Sequence, residues 1–349
     1  MKKRHILILF GGCSSEYEVS LHSAHAVITH VDREQYDPVL VGITRGGAWL
    51  HYTGPVEAIE TDEWQNYTEH CFPALVSPDR SRHVLLTPCE SVRAVAIDAA
   101  FPVLHGRNGE DGTVQGLLEL AGIPLIGCGT LASALCMDKV RAHRLAEMAG
   151  VRAARSVSFD ERPGAEQAAR AVKELRWPVF VKPVKAGSSF GITKVAAPEQ
   201  LSAAIDKAFA YDDQVIVEEA VEGFEVGCAV MGDRELTVGE VDEIELADGF
   251  FDYEEKYTLR TSRIHMPARI DDQTAERVKQ TAKTLYRALG CSGFARVDLF
   301  LTPGGEIYFN EINTIPGFTG HSRYPNMMKG IGLSFGELVN RLIEQGLNR

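Results

Sequence analysis

An α/β unit followed by α+β units is the fold class predicted for this chain, and three observations predict it. Short apolar runs alternate with amphipathic helical stretches up to about residue 125. The texture then changes after Gly150 to short strands, glycine turns and single helices. Finally, 349 residues with 45% hydrophobic and 24% charged side chains supply enough apolar material for two or three domains.

Taken in order, Ile6 to Phe10 is an apolar strand that ends in Gly11-Gly12, and Val19 to Ile28 carries apolar residues at helical spacing. Pro38 to Ile43 and Val95 to Leu104 read as strands buried on both faces. The polar, aromatic-sprinkled stretch between them, about 50 to 90, reads as hairpin and loop. Thr113 to Ala121 is an amphipathic helix, Ile123 to Ile126 a short strand, and Leu131 to Ala149 one helix. Beyond Gly150, a helix over Ala165 to Leu175 precedes a strand from Val179 to Lys182, a turn at Gly187 to Gly191 and a returning strand from Ile192 to Val195. A helix from Leu201 to Phe209 and a strand from Val215 to Glu218 complete that module. Val226 to Val230, Leu236 to Ile244, Ile264 to Pro267, Ala295 to Leu301 and Glu306 to Asn310 predict a mostly antiparallel sheet. Its helices span Ala275 to Leu289 and Phe335 to Ile343. The expected division is 1–130, 131–217 and 218–349.

The 36 basic and 48 acidic residues leave a net charge of -12, which argues against a broad nucleic-acid or anionic-membrane surface. No apolar run reaches the roughly 20 residues of a membrane helix, and Gly11 arrives too early for a signal-peptide core, so a cytoplasmic location is expected. The seven cysteines are odd in number and never two to four apart, so neither a disulfide framework nor a zinc ribbon is expected. The 11 histidines form no His-Glu-x-x-His motif.

Two familiar patterns carry little weight. Gly127-Cys-Gly129-Thr-Leu-Ala132 fits a dinucleotide fingerprint, but its strand would not be the first of its sheet. Gly187-Ser188-Ser189-Phe190-Gly191 fits a nucleophile elbow, yet a strand rather than a helix follows it. A distributed set suits a nucleoside triphosphate better. Lys182 ends a strand, Lys139 opens a helical segment, and the loop from Lys185 to Gly191 offers backbone N–H groups to phosphates. Because strand side chains alternate, Arg296 and Asp298 share a face, as do Glu311 and Asn313. Two adjacent strands bearing Asp, Glu and Asn form the all-oxygen site that magnesium prefers beside phosphates.

These segments, together with Phe10 to Ser20, Leu104 to Thr113, Met137 to Lys139, Phe251 to Tyr257 and Pro316 to Ser322, resemble the D-alanine:D-alanine ligases of the ATP-grasp superfamily in order along the chain. The variant residues look like the D-alanine:D-serine ligases of vancomycin-resistant bacteria. The resemblance implies an ATP-grasp fold with an N-terminal Rossmann-like parallel-sheet domain. It implies that Lys139, Lys182 and Ser189 grip phosphates, and that Glu218, Glu219, Val221 and Glu225 line the adenine and ribose. Asp298, Glu311 and Asn313 would hold two magnesium ions, which manganese could replace. Glu16 would pair the first D-alanine's ammonium beside His105, with Ser188 and Tyr257 linking Glu16 to a closing loop over about 242 to 262. Arg296 and the Gly317 N–H would face the oxyanion, while Lys256 and Ser322 would hold the acceptor.

The implied reaction activates a D-alanine carboxylate as an acyl phosphate, which the amine of a second D-amino acid attacks. Arg323 stands where these ligases are apolar, often Leu; Asp242 also departs from an apolar norm, and Phe318 replaces a frequent Met. A sharp reading places Arg323 and Asp242 at the hydroxyl of an acceptor D-serine; a bland one makes them a surface ion pair. The alternatives are a D-alanine-accepting ligase of ordinary wall synthesis, an ATP-grasp ligase for another carboxylate, and a non-catalytic ATP sensor. A homodimer without nucleic-acid or membrane partners is also implied.

Overall fold

In the computed structural model, the described residues are 3–88, 92–187, 190–246 and 262–349. The first sheet has five strands in the order Cys71–Pro73, Trp49–Tyr52, Tyr36–Ile43, Arg4–Gly11, Ala99–Pro102. Arg4–Gly11 runs parallel to both of its neighbours, whereas Trp49–Tyr52 and Cys71–Pro73 attach antiparallel at one edge. Residues Ile6 to Phe10 are buried on both faces, which is why the strand reads as a continuous apolar run. Its end needs glycine: Gly11 has φ +85, and a Cβ there would lie 2.3 Å from the Ile43 carbonyl oxygen. The helix Tyr17–His30 follows. Glu16 and His105 thereby emerge beyond the carboxyl ends of parallel strands, where open α/β sheets present ligand sites.

A four-stranded antiparallel sheet, Ser156–Phe159, Val215–Glu219, Val179–Pro183 and Thr193–Val195 in spatial order, packs with helices Ala165–Ala171 and Leu201–Ala208 around a core of its own. The six-stranded sheet runs Ser262–His265, Leu236–Leu246, Phe224–Gly232, Phe294–Leu301, Ile307–Asn313, Arg152–Ala153, with only the last strand parallel to its neighbour. Alternation divides its faces. Val226, Cys228, Val230, Val297 and Leu299 share a core with the helix Asp272–Ala288 and with helices Thr130–Met137 and Lys139–Met148. The opposite face, with Gly227, Ala229 and Met231, receives the helix Arg323–Gly330. One large core joins the first sheet to this face through Phe101, Phe294, Phe318, Tyr324 and the helix Phe335–Leu347.

Several elements depart from the sequence reading. Val95 to Leu104 is two strands: Arg93–Ala96 lies in a small three-stranded sheet, and Ala99–Pro102 is in the first sheet. Between them, the Asp98 carboxylate accepts from the His5 N–H and from Arg4. Ile123 to Ile126 makes one isolated bridge, Leu125 to Ala100, rather than a strand. Leu131 to Ala149 breaks at Asp138, whose carboxylate accepts from the Arg141 N–H and caps a second helix starting at Lys139. The helix Arg323–Gly330 escapes the sequence reading because Pro325 and Gly330 mask its period; Pro is tolerated in a first turn, where the N–H has no intrahelical partner.

Candidate active site

Three walls make up the candidate site, and the first is bonded to the loop from Ile315 to Ser322. This wall is built from the first sheet, and its His105–Ser23 links are neutral. His105 is buried, with Nδ1 2.8 Å from the Ile315 carbonyl oxygen and Nε2 3.0 Å from Ser23 Oγ. A carbonyl can only accept, so Nδ1 carries the proton, Nε2 accepts, and Ser23 donates to it. Ser23 Oγ in turn accepts from the Phe318 N–H at 3.1 Å. Burial pushes the His105 pKa down to about 4, with the Arg296 charge acting in the same direction and the Ile315 bond opposing it. The chain of bonds ties helix Tyr17–His30 to the loop without using any charge.

Glu16, also buried, lies against two glycines: a Cβ on Gly106 would fall 2.5 Å from its Oε2, and one on Gly187 2.9 Å. Glu110 accepts from the Gly106 N–H at 2.8 Å and from the Ile315 N–H at 3.1 Å. Burial, then the Glu16 charge, raises its carboxyl to about 8, and Glu311 adds to the effect.

The second wall is a cavity of about 1270 Å³, larger than the roughly 300–1000 Å³ of ordinary small-molecule pockets. It lies between the four- and six-stranded sheets and is lined by Lys139, Lys182, Glu218, Val221, Glu225 and Glu311 among others. Lys182 Nζ sits 2.6 Å from Glu218 Oε2, and Lys139 Nζ donates to the Ala186 carbonyl at 2.8 Å. Burial alone would push the Glu218 carboxyl up, but Lys182, His143 and Lys139 hold it below the usual carboxylate value. Its Oε1 finds no hydrogen-bond donor among the described residues, and neither does Nδ1 of His143, whose Nε2 is 3.3 Å from the Asn310 carbonyl. The Glu219 side chain, in contrast, is taken by Arg176 at 2.9 to 3.1 Å and by Arg155 at 3.6 Å, and its N–H donates to the Arg155 carbonyl at 2.9 Å.

The third wall is a row of charges across four adjacent strands. Gly227 pairs with Asp242 on one side and Asp298 on the other, and Asp298 pairs with Glu311. Arg296, opposite Asn313, donates to Asp298 through Nε and Nη2 at 2.7 to 3.1 Å, and Asn313 Nδ2 donates to Asp298 Oδ2 at 2.8 Å. Arg323 lies across the missing side chain of Gly227. A Cβ there would be 2.3 Å from Arg323 Nη2 and 2.6 Å from Asp242 Oδ1. Arg323 bonds Asp242 through Nε and Nη2, both at 2.8 Å, while its Nη1 reaches Glu225 at 2.8 Å and Asp298 at 3.4 Å. Burial would lower its pKa, but Asp242, Asp298 and Glu225 hold it well above the ordinary value.

The structure thus makes Arg323–Asp242 an ion pair but not a surface one, since their side chains are 8% and 1% exposed. It also sets Glu225 against Arg323, a pairing the sequence reading did not foresee. Ser322 Oγ takes the Thr319 N–H at 3.0 Å, and Gly317 lies against it, a Cβ there being 3.1 Å from that oxygen. Phe318 is buried in the aromatic cluster with Phe101, Phe294 and Tyr324. Ser188, Ser189, Lys256 and Tyr257, and most of the closing loop, lie outside the described residues. Ser23, His143 and Gly227 were missed; a glycine inside a strand, between acids on its neighbours, was the available signal for the last.

The dinucleotide fingerprint fails on geometry. The N–H of Thr130 at the helix start is occupied by the Glu119 carboxylate at 2.8 Å, where a pyrophosphate would belong. The Gly187 turn leads into the strand Thr193–Val195, not into a helix.

Residues 5–128 match the family described as D-ala D-ala ligase N-terminus, and residues 145–344 match D-ala D-ala ligase C-terminus. A crystal structure of the VanG D-Ala:D-Ser ligase from Enterococcus faecalis is 55% identical, covers 99% of this chain and 100% of that one, and superposes with a TM-score of 0.92. The vancomycin B-type resistance protein VanB of Enterococcus faecalis is 44% identical over 100% of both chains. The D-alanine–D-alanine ligase of Caldicellulosiruptor bescii is 41% identical over 100% of this chain and 96% of its own length.

Proposed function

The chain belongs to the D-alanine–D-alanine ligase family of ATP-dependent, ATP-grasp ligases, and we propose that it joins D-alanine to D-serine. Glu16 would receive the ammonium of the first D-alanine, and neutral His105 would hold the loop carrying Gly317 against that substrate. Lys139, Lys182 and Ser189 would grip the phosphates. Glu218 Oε1, a buried acceptor with no donor among the described residues, suits the amino group of adenine. Val221 and the Glu219 backbone would complete the base site, with Glu225 nearer the ribose.

For magnesium the donor chemistry fits: Asp298 and Glu311 face one another across two strands, with Asn313 beside them, and two arginines neutralise Asp298 meanwhile. Among the described residues no three acidic, histidine or cysteine side chains converge as a metal cluster, and Asn313, whose Nδ2 donates to Asp298, would supply the further oxygen. Bound there, the ions would neutralise charge on the transferring phosphoryl group. Arg296 and the Gly317 N–H would stabilise the oxyanion when the acceptor amine attacks the acyl phosphate. Ser188, Tyr257 and Lys256 would act in closure and acceptor binding, as the resemblance implies. Work in the cytoplasm as a homodimer, with manganese able to replace magnesium, completes the reading. Among the described residues no helix is long and apolar enough to cross a membrane.

The observation that carries D-serine as acceptor is the buried, bidentate Arg323–Asp242 pair, set at the start of the helix that follows Ser322. A site built around a hydroxyl discriminates against an analogue lacking it, because its polar groups are then left unpaired. The second reading, D-alanine as acceptor in ordinary wall synthesis, is favoured by the 41% identical relative of that name. Equimolar D-serine and D-alanine in competition, with products identified by mass spectrometry, separate the two. Wild type should yield mainly D-alanyl-D-serine, and Arg323→Leu should move the ratio toward D-alanyl-D-alanine by about tenfold, or about 1.4 kcal/mol. A wild type that makes only D-alanyl-D-alanine establishes the second reading.

A further inference from the structure

Three acids and one guanidinium share a slot that glycine opens in the middle of the sheet. Asp242, Gly227 and Asp298 are register partners on three adjacent strands, and Glu225 lies two residues from Gly227 on the same face. Arg323 crosses that gap from a separate helix, and its bonds divide by atom. Nε and Nη2 belong to Asp242, whereas Nη1 belongs to Glu225 and Asp298. Asp298 is the proposed magnesium ligand and Glu225 the proposed ribose-side acid, so one nitrogen holds both ends of the Mg·nucleotide site.

We propose that Arg323 is the internal counter-cation of this site: it occupies Asp298 and Glu225 until magnesium and nucleotide displace its Nη1, after which it stays anchored on Asp242. This rests on the ligase reading, because it takes Asp298 and Glu225 as ligands of the incoming complex. The asymmetry of the pairing supports it. The bidentate clamp to Asp242 survives displacement, while the approach to Asp298, at 3.4 Å, is the longest of the set. A released Nη1 offers its two N–H donors toward the acceptor, so the donor meant for an acceptor hydroxyl becomes available only once Mg·nucleotide is in place. By reciprocity, an ion pair that opens when one ligand binds and re-forms when it leaves couples the two sites equally in both directions.

The test measures binding rather than turnover. ADP is titrated by calorimetry, with magnesium and with a chelator in its place, into wild type and into the double variant Asp242→Asn/Arg323→Leu. The double variant removes one positive and one negative charge, so the net charge of the slot is unchanged and neither member of the clamp is left as an unpaired buried ion. Removing the competitor should tighten Mg·ADP by about tenfold, inside the roughly 5- to 150-fold span of site couplings, with a smaller gain for metal-free ADP. A double variant that binds Mg·ADP no more tightly than wild type overturns the proposal, and so does a gain of equal size with and without magnesium. Failure of the underlying reading looks different: wild type itself would then show no magnesium-dependent gain in ADP affinity. The acceptor competition is scored separately and leaves this result unaffected.

Discussion

On the first-sheet side of the loop from Ile315 to Ser322, His105 and Ser23 hold the loop through neutral hydrogen bonds whose every buried atom has a partner. On the six-stranded-sheet side, Arg296, Arg323, Asp298, Asp242 and Glu225 hold one another through charge. The His105–Ser23 links need no ligand to be satisfied, so they hold the loop at little electrostatic cost to themselves. The charged wall is braced largely by its own members, with Asn313 and the Gly227 N–H adding donors to Asp298 and Asp242, and on the proposal above magnesium and nucleotide would redistribute that bracing. On that proposal, positioning and exchangeable charge fall to different sheets, with the loop between them.

The sharpest break in that contrast is Glu311→Gln, which removes one charge from the proposed metal face. We expect turnover to fall by about a thousandfold or more, given the several kcal/mol that a catalytic metal contributes, with the unfolding midpoint close to wild type. Near-normal turnover by a folded variant would remove Glu311 from the metal site. Next is Arg323→Leu alone, which strands Asp242 as a buried unpaired charge. Urea unfolding should show a loss of about 3–5 kcal/mol, most of it recovered on adding Asp242→Asn. Equal stabilities for the single and double variants would mean that the pair is not the brace described.

The neutral wall makes a smaller and pH-dependent prediction. The pKa of His105 falls from an ordinary 6.5 to about 4 in the folded chain. Between those values the unfolded chain takes up a proton that the folded one refuses, so this group's contribution is intact above about pH 6.5 and declines as pH falls toward 4. The window is worth about 3 kcal/mol. Subtracting the stability profile of His105→Gln from that of wild type should reveal this decline. A flat difference curve would place the imidazole in water or in its charged form. Ser23→Ala should cost less, about 1–3 kcal/mol, by leaving the Phe318 N–H and His105 Nε2 unpaired.

Much of this was legible from local pattern. The run Ile6 to Phe10, the alternation that places Arg296 with Asp298 and Glu311 with Asn313, and the lysines at 139 and 182 all appear in the structure where the sequence put them, because strand period and apolar runs are local properties. The break at Asp138 was missed because a capping side chain competes with helix continuation only once its N–H partner is in place. Likewise the helix Arg323–Gly330 is stabilised by its packing on the six-stranded sheet rather than by its own propensity.

By itself, then, the sequence determined the layer types and which side chains share a strand face, since these follow from spacing along the chain, and its motifs carried the resemblance to the family that the matches at residues 5–128 and 145–344 show. Only the tertiary structure decided the partners: that Arg323 reaches Asp242, Glu225 and Asp298 through the gap at Gly227, and that His105 is fixed as a neutral tautomer by Ile315. The bonds to Asp242, Glu225 and Ile315 join residues separated by 81, 98 and 210 positions, and burial sets their strength. Neither the separation in space nor the loss of solvent is encoded in any local period.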